Sequence, residues 1–159
     1  MAECVNGEPR AGRRQVGVGR APLDPAAVLA DVSVTAAGAN VLFVGTVRSV
    51  TAGIPTSRLE YDAHEPLALA VLESIRREAV ERFGLAACRI EHRLGPVEPG
   101  EASVAVAVSS PHRREAFAAG EWAMERIKRE VPIWKREQRP DGSGGWVHGD
   151  ESPRPEGER

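Results

Sequence analysis

Apolar positions along this chain repeat with two different periods, and the switches between them outline its elements. Between residues 66 and 83, Ala68, Val71, Leu72, Ile75 and Ala79 recur every three or four residues while Glu73, Arg76, Arg77 and Glu81 fall elsewhere, the stripe of an amphipathic helix. A second long helix is predicted over residues 110–130. Ser110 is its candidate N-cap, Pro111 suits the first turn, and Pro132 forbids continuation because it lacks an amide hydrogen and its ring collides with the preceding turn. A shorter helix over residues 24–31 has Asp24 as cap candidate and Pro25 at the first helical position, with Ala26, Leu29 and Ala30 at helical spacing.

Strand signals fill the intervals. Residues 39–50 are rich in β-branched side chains and broken by Gly45, which predicts a long strand with a bulge or a close backbone approach. Residues 57–62 follow a turn-like Ala52-Gly53-Ile54-Pro55 and are expected to pair with that strand as a hairpin. Strands over 88–94 and 102–109 are separated by Gly95-Pro96 and Pro99-Gly100, and the second of them, nearly all apolar or small, is expected to be central. An extended segment over 133–138, a Gly- and Ser-rich turn and a last strand over 146–148 complete the pattern. Neighbouring strands mixed with two long helices predict an α+β fold rather than a doubly wound parallel sheet. Residues 1–20 read as a Gly- and Arg-rich disordered leader, 21–149 as one domain and 150–159 as a polar tail.

Composition narrows the function classes. With 159 residues and 42% hydrophobic content the chain supports one core. Its net charge of -2, from 21 basic and 23 acidic residues, offers no general attraction to nucleic acid or membrane, so any anion site must be local. Aromatic content of 4% also argues against base stacking. Cys4 and Cys88 lie too far apart and in contexts too unlike to suggest a disulfide framework, and His64, His92, His112 and His148 lack metal-ligand spacing. No run approaches the roughly 20 apolar residues of a membrane span, and no apolar segment follows the early arginines as in a secretory signal. A soluble, cytoplasmic protein is expected.

The residues with chemical promise are basic and cluster late: His112, Arg113, Lys128, Lys135 and Arg136, with Arg48 from the long strand. On a helical wheel of about 100° per residue, Phe117, Gly120, Met124, Ile127 and Val131 form an apolar stripe, and Lys128 falls about 20° from Phe117. Arg113 also points along that stripe. Spacing alone favours snorkelling, the stems lying on apolar surface with the charges in water. In the segment after Pro132, alternation puts Ile133, Lys135 and Glu137 on one side and Trp134 and Arg136 on the other. Charge on both faces fits an exposed edge strand, or else a pocket where lysines and arginines converge on a phosphorylated or carboxylated ligand. Glu60 with Asp62, and Ser109 and Ser110 with His112, give no comparable catalytic constellation.

Taken together, Phe43-Val44-Gly45-Thr46-Val47-Arg48, Leu59-Glu60-Tyr61, His92-Arg93-Leu94-Gly95, Pro99-Gly100-Glu101, Ser110-Pro111-His112-Arg113, Ile127-Lys128, Pro132-Ile133-Trp134-Lys135-Arg136-Glu137 and Trp146-Val147 resemble, in order and spacing, the molybdopterin synthase large-subunit family across residues 22–149. The resemblance implies an α/β hammerhead-type fold with additional antiparallel β structure. It implies a homodimer within a heterotetramer, with a small ubiquitin-like sulfur-carrier subunit at each end. The carrier's C-terminal thiocarboxylate would donate sulfur to cyclic pyranopterin monophosphate to form the molybdopterin dithiolene, with no resident cofactor or metal. By position, Lys128 and Lys135 match the family's catalytic lysines, and Thr46, Val47, Arg48, His112, Arg113, Arg136 and Glu137 its substrate contacts. A lysine there could stabilise charge, donate a proton or act as a nucleophile. His112 and Lys128 lie about 160° apart on the wheel, so joint use of one ligand requires a second subunit. A carrier-binding scaffold without catalysis is the rival, and it has no use for either lysine.

Overall fold

The alternation within one strand organises the molecule. The computed structural model describes residues 14–51 and 53–148. In chain order its elements are β1 (Val16–Gly19), α1 (Pro25–Val32), β2 (Ala39–Thr46), β3 (Val50–Thr51), β4 (Ile54–Pro55), β5 (Arg58–Ala63), α2 (Glu65–Phe83), β6 (Ala87–Arg93), β7 (Gly95–Val97), β8 (Ala102–Ser110), α3 (Arg113–Glu130), β9 (Ile133–Gln138) and β10 (Trp146–His148). Along β8, Val104, Val106 and Val108 join a core with Leu72 and Ile75 of α2 and Ala119, Ala123 and Ile127 of α3. Ala105 and Ala107, on the opposite face, pack with Val28 and Val32 of α1. A strand buried on both faces must be interior, and β8 lies between β6 and β2 in a sheet of order β1-β6-β8-β2. The layers are therefore α1, this sheet, and the α2–α3 pair. Full burial of side chains such as Leu72 and Ile75 contributes roughly 1.5–3 kcal/mol each.

Local signals explain the helix ends. Asp24 accepts the Ala27 amide at 3.1 Å at the start of α1, with Pro25 beside it. His64 caps α2 by accepting the Leu67 amide on Nδ1, and Gly84, with φ 60°, ends it in the left-handed region. The helix that carries Lys128 stops at Glu130, and Ile133 N–H then donates to the Val131 carbonyl across Pro132 at 2.8 Å, turning the chain sharply into β9. That turn feeds a second sheet, order β10-β9-β5-β7, antiparallel throughout.

Several expectations are corrected. The segments 39–50 and 57–62 do not form a hairpin: β2 ends at Thr46 and pairs with β8, whereas β5 pairs with β9 and β7. The short hairpin in that region is β3 with β4. Part of the expected leader is ordered, because Val16–Gly19 adds a strand parallel to β6 and Val16 enters the core; residues 1–13 and the tail 150–159 lie outside the described residues. Ser110 is not the helix cap. Its pairing with Ala39 holds it in β8, and His112 takes the cap position without a side-chain cap bond. Finally, of the predicted α3 stripe Gly120, Met124, Ile127 and Val131 are buried but Phe117 is 65% exposed, since the helix also buries Ala116, Ala119 and Ala123, small residues that allow close approach to the neighbouring layer. The predicted bulge at Gly45 is present as a register shift between Gly45 and Thr46.

Candidate active site

Where the two sheets meet the C-terminal half of α3, the surface folds into a cleft of about 740 Å³. Each wall has a local cause. β2 supplies Phe43 to Thr46, and the bulge turns the chain so that Arg48 also lines the cleft. A Cβ at Gly45 would come within 2.6 Å of Val104, so the bulge needs glycine there. α3 supplies Met124, Ile127 and Lys128, the lysine lying in its last turn, where the unpaired carbonyls of the helix favour a cation. β9 supplies Ile133, Lys135 and Glu137 from one face, next to Leu59 and Tyr61 of β5. The reversal at Pro132 is what carries Lys135 back into the cleft that Lys128 also lines.

The cleft thus gathers five of the residues singled out from the sequence: Thr46, Arg48, Lys128, Lys135 and Glu137. Val47 is buried at 3% exposure, and its amide and carbonyl bond to Glu101 O and Gly100 N at 3.1 and 2.8 Å, so it anchors the segment between its two neighbours. Strand alternation puts Arg136 on the face away from Lys135, opposite Glu60 and Trp146 in the register. His112 and Arg113 are exposed at the start of α3. Fifteen residues of helix separate Arg113 from Lys128, about 22 Å at 1.5 Å per residue, which no side chain spans. Within one chain those two residues cannot touch a ligand held by Lys128.

Tyr61, of the Leu59-Glu60-Tyr61 motif, also lines the cleft, as do Arg139 and Thr51, which belong to no motif named from the sequence. Arg139 continues the alternation 133, 135, 137 by one step, a signal present in the sequence. Thr51 carried none, because it reaches the cleft through tertiary placement of the β3–β4 hairpin. The resulting wall has Arg48, Lys128, Lys135 and Arg139 against the carboxylate of Glu137, an arrangement that attracts an anion in a partly desolvated space.

The floor beneath these cations is uncharged. Burial pushes the His92 imidazole down from 6.5 to about 4, with the hydrogen bond from Nδ1 to the Arg93 carbonyl, 2.9 Å, opposing only in part. Its ring meets Tyr61 edge-on at 5.2 Å. Burial also raises the Tyr61 phenol, against a hydrogen bond with Ser103 that lowers it. A neutral imidazole and a neutral phenol add no competing charge below the lysines. Cys88 lies elsewhere in the core, its thiol pushed up to about 12 by burial, which removes it as a nucleophile. Among the described residues no three His, Cys, Asp or Glu side chains are grouped so as to hold a metal ion, and no helix is long and apolar enough to cross a membrane.

Comparison with known proteins agrees with this architecture. The chain is 50% identical over 128 residues to the molybdopterin synthase catalytic subunit of Coccidioides immitis, covering 79% of this chain and 65% of that protein. It is 45% identical over 128 residues to the corresponding subunit of Bacillus subtilis, covering 80% and 81%. It superposes on molybdopterin synthase from Staphylococcus aureus with a TM-score of 0.80 and 38% identity, covering 85% of this chain and 98% of that one. The matched part thus spans just under two thirds of the fungal relative and nearly the whole of the staphylococcal chain. Residues 18–130 match the family model described as MoaE protein. On fold, cleft and sequence together, the chain belongs to the MoaE family, which holds the catalytic subunits of molybdopterin synthase.

Proposed function

We propose that this chain is the catalytic subunit of a molybdopterin synthase, transferring sulfur from the C-terminal thiocarboxylate of a small ubiquitin-like carrier to cyclic pyranopterin monophosphate. The observation that carries the proposal is the meeting of Lys128 and Lys135 in one cleft with Arg48. Both guests are anionic, a cyclic phosphate and a thiocarboxylate, and would repel each other in the open. Converging ammonium and guanidinium groups offset that repulsion and stabilise the charge that develops as the phosphate ring opens. Two thiocarboxylates are consumed for each dithiolene. The metal that the dithiolene later holds belongs to a later step.

The relatives are named as catalytic subunits, a term that supposes a second kind of chain. In this reading the carrier's C-terminal tail enters the cleft, and two copies of the present chain form the centre of a heterotetramer in the cytoplasm. Dimerisation also resolves the distance along α3. A second copy would bring its own His112 and Arg113 to the cleft that the first copy's helix holds too far from them. A mostly apolar hollow beside the cleft, lined by Val41, Leu42, Phe43 and Phe117 together with the charged Glu121, Glu125, Lys128 and Arg129, would supply a surface for that contact.

The test is reconstitution from purified chain, pterin precursor and thiocarboxylated carrier. The intact protein is expected to form the dithiolene product only when carrier is present. Lys128→Ala is expected to abolish product while dimerisation and carrier binding persist. Full turnover by that variant would remove the catalytic role of Lys128.

A further inference from the structure

The carboxylate in the cleft is tied to a buried hydroxyl that no family resemblance or cleft lining singles out. Thr56, 5% exposed, donates its O–H to Oε1 of Glu137. Its Oγ1 also lies 3.3 Å from Oγ1 of Thr51. A threonine hydroxyl has one proton, and an ionised carboxylate can only accept. Thr56 therefore gives its proton to Glu137, and Thr51 must be the donor to Thr56. The result is a directed relay, Thr51 to Thr56 to Glu137. The backbone pins its centre from both sides: Thr56 N–H donates to Ser49 O at 2.9 Å, and Ser57 N–H donates to Gln138 O at 2.8 Å. The relay thus fastens the β3–β4 hairpin to β9 at the position that faces the cleft.

Glu137 shares a face of β9 with Lys135, two residues away, about 7 Å along the strand, and Arg139, one residue past the end of β9, lines the same cleft. A glutamate side chain left to rotate would sample positions nearer one cation or the other, and each position would change the field felt by a guest. With one oxygen held by Thr56, the carboxylate has a fixed place between them. We infer that Thr56 is a positioning residue for the reaction, acting through Glu137 to fix the carboxylate among the cations of the cleft. This inference rests on the function proposed above.

Two measurements on the full chain separate the bond from its use. Denaturant unfolding of Thr56→Val, Glu137→Gln and the double variant reads the bond itself, with an expected coupling of about tenfold in the unfolding equilibrium. Reconstituted synthesis reads its consequence. Thr56→Val is expected to lower kcat about tenfold with KM for carrier and pterin nearly unchanged, and Thr56→Ser, which keeps the hydroxyl, to restore it. The double variant should lose no more than Glu137→Gln alone. Thr51→Val, which removes the first donor of the relay but leaves Thr56 and its bond to Glu137 in place, should lower kcat in the same direction by a smaller factor, and keeps the test open should Thr56→Val fail to fold. Absent coupling, full kcat in a folded Thr56→Val or Thr51→Val, or a Thr56→Ser as impaired as Thr56→Val would each overturn the inference. An intact protein that couples these residues but makes no product would overturn the functional proposal and the positioning role with it, leaving only the bond.

Discussion

The buried imidazole of His92 makes a measurable claim about acid stability. Its folded value of about 4 lies below the 6.5 of the free side chain, and the main cause is burial. The unfolded chain therefore binds the proton more readily, and stability falls as pH drops from 6.5 toward 4. Each unit of difference is about 1.4 kcal/mol, so the full effect is about 3 kcal/mol, of which about 2 kcal/mol is lost between pH 7.5 and pH 5. Replacing the ring by one that cannot titrate, as in His92→Phe, should keep the edge contact with Tyr61 and remove this component. The measurement is urea unfolding at pH 7.5, 6, 5 and 4.5 for both proteins. Carboxylates held below their usual range, such as Glu73 by Arg76, lose their contribution at lower pH and do so in both proteins, so they cancel in the difference. The parent should lose about 2 kcal/mol more than the variant by pH 5. Equal slopes would mean that the imidazole takes up its proton over the same pH range in the folded and the unfolded chain, and the account of burial keeping the cleft floor uncharged would be wrong.

Two other substitutions probe the frame around the cleft. A Cβ on Gly144 would lie 1.8 Å from the Glu137 carbonyl oxygen, so Gly144→Ala should displace the loop and lower kcat/KM roughly tenfold, with little change in denaturation midpoint, because a displacement of about 1 Å is costly to reacting geometry; unchanged kinetics would show that the loop does not constrain Glu137. Phe117→Asp puts a carboxylate on the apolar hollow at a side chain that is 65% exposed. If two copies meet there, the dimer dissociation constant should rise roughly 100-fold by sedimentation velocity, and an unchanged dimer would place the contact elsewhere.

What the sequence determined by itself is the set of elements whose causes are local. The spacing of Leu72, Ile75 and Ala79 defines α2, Asp24 with Pro25 starts α1, Pro132 ends the last helix, and the Val and Ala alternation of β8 announces an interior strand. The motif order around Lys128 and Lys135 was also legible, because each short motif is contiguous. Pairing was not. β2 and β5 follow one another with only the short β3–β4 hairpin between them, yet each pairs with a distant partner, β8 and β9, a choice that no local signal in either strand encodes. Val16–Gly19 looked polar and mobile because a strand of four residues becomes stable only by adding to an edge already formed by β6. Ser110 had the composition of a cap, but a ladder to Ala39 outweighed a local preference worth about 1 kcal/mol. The cleft belongs to the same class of property. Its cations lie on separate elements, its carboxylate is fixed by a threonine eighty-one positions away, and the period of a sequence carries no information on which surfaces will face each other across a gap.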